Sequence, residues 1–309
     1  MIQNSGAVSQ QFLANLQLLQ QQMAQTQQQI SSGTKISQAS DAPNAVGDVL
    51  QLESDLGRVN QVTSNLNLVS GQVNSAESAL ETGTTLMDQV SSLAAQGAGS
   101  TVSATSRATF SQQVGQILSS LVAASQTQFN GAYVFGGDQP TSPSYQVDLT
   151  NPNGVDRLVT TQSTALIQDA SGITFAASKT AQDIFDHRNP DDSVASDNVF
   201  AAVNNLRVAL ANNDTAGINT AISSIKTAQD YLSQQLAFYG GVQNQISNVQ
   251  DVAQKFQLQD RTALSSEKDT NIAAASVAMT QDQASYQAAI EAESAMPKSS
   301  LFDYLTSGS

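Results

Sequence analysis

His187 is the only histidine in the chain, and it stands beside Arg188 in a polar stretch running from Asp183 to Asn198. An imidazole titrates near neutral pH and could serve as a general base. No Ser has a second base nearby in sequence to complete a relay, and there is no His pair with metal-ligand spacing; a solvated linker histidine is the simpler reading. Asp191-Asp192 could attract a cation, but a turn accounts for them as well. Asp148 with Asn151-Pro152-Asn153-Gly154 has a faint calcium-loop look. It lacks the alternating acidic ligands and the terminal Glu of such a loop. Gly136-Gly137 precedes prolines rather than a helix, so it is no phosphate cradle. Asn213-Asp214-Thr215 fits a glycosylation sequon and equally a helix cap. Cysteine is absent, which removes thiolate chemistry, disulfides and Cys-based zinc sites. The sequence therefore offers no catalytic residue, no cofactor-binding residue and no metal site, and it predicts a protein that is not an enzyme.

Composition narrows the partners. Only 12% of the residues are charged, against roughly 25% in ordinary globular proteins. Those charges are 26 acidic against 12 basic, a net charge of −14. Without a basic stripe, neither nucleic acid nor an anionic membrane surface is an expected partner. Tryptophan is absent and aromatics make up 5% of the chain, so a large central core is not expected. The segment from Met1 to Ala14 lacks the cationic start and apolar run of a secretory signal peptide. No apolar run approaches the ~18 residues of a membrane span.

The elements that carry these residues follow from periodicity. Phe12, Leu16, Leu19, Met23 and Ile30 fall at the four-and-three steps of a coiled-coil seam, which Gly33 stops. Ser40-Asp41-Ala42-Pro43 reads as a capped start for a long second helix through Leu66, Val73, Leu80 and Val90. A third helix spans about Ser103 to Gln128. From Tyr133 to Phe185 the text changes to Gly, Pro, Thr and alternating apolar residues, with strands expected at 133–135, 145–149, 158–161 and 173–176. Helix resumes at Val199 and pauses at Asn212-Asn213-Asp214. It then continues to about Ala295 through a second seam, Val242, Ile246, Val249, Ala253, Phe256, Ala274, Val277, Ala284 and Ala288. Gly240-Gly241 should weaken that helix, at ~1 kcal/mol per Gly relative to Ala.

The expected fold class is mainly α: a long antiparallel helical hairpin or bundle with coiled-coil termini and a small β-rich inserted domain. Residues 1–44 and 260–309 would form the terminal arms, disordered in the monomer and ordered on assembly. Residues 45–132 and 195–259 would form the helical bundle. Residues 133–194 would form the inserted domain with its return linker, and the part from about Gln139 to Asp186 would be a small β domain dispensable for assembly.

Three stretches resemble the bacterial flagellin superfamily, and within it the hook-filament junction proteins of the hook-associated protein 3 type. They are Gln28 to Ile36 with Ser40-Asp41-Ala42-Pro43, then Leu93 to Gly97 with Gln126 to Gly137, and last Asp282 to Ala288 with Ser300 to Leu305. Pro43 and the Phe302-Asp303-Tyr304 ending are similar to the junction type rather than to flagellins. Ala42 departs from the family's second Asp, and Met87 to Ser92 lacks the arginines seen in some flagellins, so the receptor recognition some flagellins show is not carried over.

The resemblance implies a structural part of the flagellum that links a hook-associated layer to the flagellin filament and polymerises through its terminal helices into a ring or tube. It implies neighbouring hook-associated protein and flagellin as partners, together with an export chaperone. It also implies an extracellular location reached through the flagellar export apparatus without a cleaved signal peptide. The assembly seam would be Phe12, Leu16, Leu19, Met23, Ile30, Val277, Leu301, Phe302 and Leu305. A filament subunit, flagellin itself, is the alternative. A secreted adhesin or translocator also uses helical hairpins, but would not need these motifs at both ends.

Overall fold

The computed structural model describes residues 3–295. Its elements in chain order are α1 (Gln3–Ser32), α2 (Val46–Gly97), α3 (Ala104–Ser125), β1 (Gln128–Phe129) and β2 (Ala132–Tyr133). There follow β3 (Tyr145–Val147), β4 (Val155–Arg157), β5 (Leu166–Gln168), β6 (Thr174–Ala176) and α4 (Ala181–Phe185). α5 (Val199–Ala211), α6 (Thr215–Lys268) and α7 (Ile272–Ala295) complete the chain. The fold is mainly α with small β additions, and its contacts divide into two units, broken at 57/58 and 257/258. The sequence had suggested breaks at 44/45 and 259/260.

The larger unit, 58–257, is organised by two matched heptad faces. On α2, Val59, Leu66, Val73, Leu80, Met87 and Ala94 recur every seventh residue and all are buried. On α6, Ile218, Ala221, Ile225, Ala228, Leu232, Gln235, Tyr239, Val242, Ile246, Val249 and Ala253 are all buried and alternate by three and four. Such a repeat keeps one face of a helix on its partner. The two helices run antiparallel in this unit: Gln229 donates to Asp88 and Gln250 to Asn67, both at 2.9 Å, and Gln257 donates to Asn60. Gly240 and Gly241 lie inside this continuous helix without interrupting it.

The β elements form three separate two-stranded antiparallel sheets. Asn130 and Gly131 both have positive φ, 51° and 81°, and close the β1–β2 hairpin as Asn-Gly pairs do. Val134 and Phe135, expected to extend a strand, are instead buried in the core. β3 pairs with β4 in the register Tyr145↔Arg157, Gln146↔Asp156 and Val147↔Val155, so the second strand ends before the expected 158–161. Gly154, at φ +77°, turns that hairpin with a Cβ position 2.7 Å from Leu118 and 2.9 Å from Asn204.

The inserted segment does not stand apart from the helices. Phe135, Tyr145 and Phe185 from the insertion join Phe200 of α5 and Tyr239 of α6 in one buried cluster. Ring centroids lie 5.7 Å apart for Phe135–Phe185, 5.3 Å for Tyr145–Phe200 and 6.1 Å for Phe135–Tyr239, all edge-to-face. With aromatics so scarce in this chain, grouping them where the insertion meets the bundle gives the core bulk that its alanines and valines do not supply. Phe129, Val147, Ile167 and Phe175 of the hairpins likewise pack against this core.

The smaller unit comprises α1, the 33–45 connection, the start of α2, the end of α6 and α7. The expected helix through to Ala295 is two helices, broken at 269–271. Gly33, at φ +72°, ends α1 with its N–H on the Gln29 carbonyl at 2.9 Å, the left-handed stop that glycine accommodates. Asn271 caps α7 by accepting from the Ala274 N–H at 3.1 Å.

Candidate assembly surface

The seam residues of the N-terminal arm share one side of α1. Phe12, Leu16, Leu19, Met23, Thr26 and Ile30 are half-buried, while the intervening positions from 13 to 28 are exposed. The packed side of α7 is Ala275, Met279, Asp282, Tyr286 and Ala289, again spaced by four and three. Gln20 on α1 donates to the Tyr286 hydroxyl at 3.0 Å, and Thr34 bridges Asp269, so α1 and α7 run antiparallel. The α7 face suggested by sequence, Ala274, Val277, Ala284 and Ala288, is exposed; Val277 retains 67% of its surface. The phase moved because the helix restarts at Ile272, and an alanine-rich helix offers little contrast between its sides from which to read that shift. Leu301, Phe302 and Leu305 lie outside the described residues.

A joint closes both connections of this unit. The Lys35 N–H donates to the Lys268 carbonyl at 2.7 Å, and the Thr270 N–H donates to the Gly33 carbonyl at 2.9 Å. Lys35 Nζ donates to the Ser266 carbonyl, also at 2.7 Å. Lys268 Nζ pairs with Glu53 at 2.8 Å. Asp41, expected to cap α2, instead accepts the N–H groups of Gln38 and Ser37 and the Ser37 hydroxyl. These bonds hold its carboxyl below the usual carboxylate range.

Among the described residues the unit buries only three apolar side chains, Ile36, Val49 and Ala275. Leu13, Leu18, Leu50, Leu258, Ile272, Val277 and Ile290 all remain exposed. A helical assembly with almost no core of its own gains little of the ~25 cal/mol per Å² that apolar burial provides.

The residues first considered for chemistry are occupied in structure. His187 Nδ1 lies 2.7 Å from Asp197 Oδ1, and its ring stacks on Tyr231 at 4.7 Å. The fully buried Asp186 beside it accepts from Asn198 Nδ2 at 2.8 Å, Arg188 Nε at 2.9 Å and the Tyr145 hydroxyl at 3.1 Å. Burial, then the Asp186 charge, pushes the Tyr145 phenol up. Asp192 pairs with Arg157 at 2.8 Å, and Asn213 accepts from Arg107 at 2.6 Å. These groups tie the return linker and the helix ends to the core. Among the described residues no group of three or more His, Cys, Asp or Glu could hold a metal ion, and no helix is long and apolar enough to cross a membrane.

Residues 4–139 match the bacterial flagellin N-terminal helical region. No curated protein matches the chain. Among solved structures, a protein from Vibrio parahaemolyticus described as flagellar hook-associated is 16% identical with a TM-score of 0.64, over 74% of this chain and 100% of that one. The hook-associated protein 3 of Legionella pneumophila is 10% identical with a TM-score of 0.60, over 71% and 98%. A Xanthomonas campestris FlgL is 15% identical with a TM-score of 0.58, over 69% and 99%. At these identities the structures speak to the fold alone, while the matched helical region reaches from the start of α1 into the insertion. The chain thus carries a stretch similar to the flagellin N-terminal helical region and shares the fold of solved flagellar hook-associated proteins.

Proposed function

We propose that this chain is a non-enzymatic structural component of the bacterial flagellum, a junction protein between a hook-associated layer and the flagellin filament. The observation that carries this reading is the nearly coreless smaller unit, with Leu13 and Leu18 exposed on α1 and Ile272, Val277 and Ile290 exposed on α7. Polymerisation into a ring or tube would cover them, with Phe12, Leu16, Leu19, Met23 and Ile30 holding the α1 seam and Val277 turned toward neighbouring subunits. Leu301, Phe302 and Leu305 complete the proposed set of seam residues. A junction subunit meets a hook-associated protein on one side and flagellin on the other, and reaches its extracellular position through the flagellar export apparatus with the help of a chaperone that shields the arms. Net charge −14 supports a partner list free of nucleic acid and anionic membrane.

Immunogold labelling of purified flagella tests the position. Label confined to the hook-filament boundary is expected. Label along the whole filament would assign the chain as flagellin, and flagella without label would remove it from the organelle.

A further inference from the structure

We propose that Gly240-Gly241 is a bending point built into α6, matched by a weak turn of α2 at the same level, so that the helix pair of the larger unit flexes there. In that unit every other helical glycine has a packing reason. A Cβ at Gly71 would meet Phe129, at Gly83 Leu232, at Gly97 Leu210, at Gly115 Arg207 and at Gly217 Asp214, each within 3.5 Å. At Gly240 and Gly241 it would meet nothing within 4 Å. Neither residue has the positive φ that calls for glycine. Both lie well inside a 54-residue helix, one half-buried and one exposed, where glycine is the costliest choice after proline. Two adjacent glycines that no neighbour requires leave the backbone itself as the property being used.

The cross-bonds from Gln229 to Asp88 and from Gln250 to Asn67 fix the register of the antiparallel pair. It sets Gly240 and Gly241 beside Glu77 and Ala76 of α2, and Val242 beside Ser75. Ser75 Oγ turns back to the Gly71 carbonyl at 2.9 Å, a bond that tends to bend helices. Ser70-Gly71 is the Gly/Ser pairing at which kinks recur. Gln243, one turn past Gly240, keeps its Oε1 buried with no partner among the described residues. An unpaired buried acceptor burdens the straight helix, and a bend that admits water to it removes that burden.

Tyr239 and Val242, on either flank of the glycines, are buried in the main core and keep both halves of α6 seated while the outer surface between them carries no side chain. The bend therefore changes the curvature of the pair without unpacking it. Its use rests on the reading of the chain as a junction subunit. One sequence set between two unlike neighbours must fit both, and a helix pair that bends at a few positions supplies that fit.

The absence of native cysteine makes the test direct. Nitroxide labels on Ser223→Cys and Gln254→Cys, both exposed, straddle the glycines, and a straight helix holds those positions about 46 Å apart. Pulsed electron resonance on the full free chain should give a distance distribution that is broad and reaches below that value. Gly240→Ala combined with Gly241→Ala should narrow it, and should raise the melting temperature because the added Cβ atoms have open space. Hydrogen exchange of the amides of 241–245 should be at least tenfold faster than that of 226–230 and should lose that excess in the double variant. A narrow distribution unchanged by alanine, uniform exchange along the helix, or a lowered melting temperature overturns the bending point. In cells carrying the double variant, the share of flagella that keep their filaments should fall at least twofold; undiminished retention overturns the use assigned to the bend. Flagella of unsubstituted cells that lack this chain would instead fail the functional reading, and the measurements on the free chain decide the bend independently of it.

Discussion

Tyr145, on the first strand of the insertion's β3–β4 hairpin, donates its hydroxyl to Asp186, a carboxylate with no exposed surface at the start of the return linker. One buried acid thus fastens the beginning of the insertion to its end, with Asn198 carrying the tie to the cap of α5. Asp186→Ala would leave the Tyr145 hydroxyl, Asn198 amide and Arg188 guanidinium without their shared acceptor. Loss of one partner from a buried charged pair typically costs about 3–5 kcal/mol. Urea denaturation should place the Asp186→Ala midpoint far below that of the unsubstituted chain, with Tyr145→Phe in between. Equal midpoints would mean the network is relaxed in solution.

The same junction predicts what deletion does. Removing 139–186 takes Tyr145 and Phe185 out of the aromatic cluster, exposing Phe200 and Phe135. Each large aromatic lost from a core costs about 3–5 kcal/mol, more than a marginal domain can bear. The deleted chain should lose cooperative thermal unfolding. A sharp, near-native transition would restore the view of the insertion as a separate domain.

The helices were largely legible in sequence, and the insertion much less so. α1, α2, α3 and α5 announce themselves by period, and the end of α1 also by the Gly33 stop. The break at 269–271 was missed although Asn271 is a good capping residue, because Ala-rich text on either side continues to suit helix. β5 was missed for a different reason. Leu166-Ile167-Gln168 is only three residues long, and its partner Thr174–Ala176 lies across a turn that Asp169 and Gly172 make through side-chain bonds and positive φ. The buried tie at Asp186 gives no local signal at all, since Tyr145, Asn198 and Arg188 converge only in three dimensions.

Alkaline titration offers a check on the His187 neighbourhood. Burial, followed by the charges of Asp197 and Asp183, pushes the Tyr231 phenol up to about 12. A phenol whose folded value lies above its unfolded value near 10 contributes stability below pH 10, and that contribution is lost as pH rises from 10 through 12. Tyr231→Phe should therefore flatten the fall in melting temperature over that window. Identical profiles for the two proteins would mean that Tyr231 ionises in the folded chain as it does in the unfolded one.

Gly33 and Gly154 both have positive φ, yet they should respond differently to alanine. A Cβ at Gly33 meets nothing within 4 Å, so Gly33→Ala adds only the left-handed backbone cost of about 1 kcal/mol, confined to the smaller unit. At Gly154 the same backbone cost combines with overlap on Leu118 and Asn204 in the core of the larger unit. Overpacking adds about 1–3 kcal/mol. Calorimetry should show the main transition lowered by Gly154→Ala and unmoved by Gly33→Ala; the reverse order would contradict the placement of these turns.

The final prediction concerns the arm that is proposed to drive assembly. Leu16 and Leu19 sit half-buried on the side of α1 whose neighbour Gln20 reaches Tyr286, in a unit that buries almost nothing else. Full coverage of each leucine by neighbouring copies would contribute about 1.5–3 kcal/mol. Replacing both by Asp would place two unpaired carboxylates in that contact, a burial that assembly does not tolerate. The larger unit shares neither residue, so its unfolding should be unaffected. The measurement is paired: the main thermal transition of the purified double variant, and filament attachment in cells that carry it. The expected outcome is an unchanged transition together with cells that shed flagellin or build no filaments. A lowered main transition would place these leucines in the core of the free chain. Normal filaments with an unchanged transition would move the assembly surface off α1 altogether.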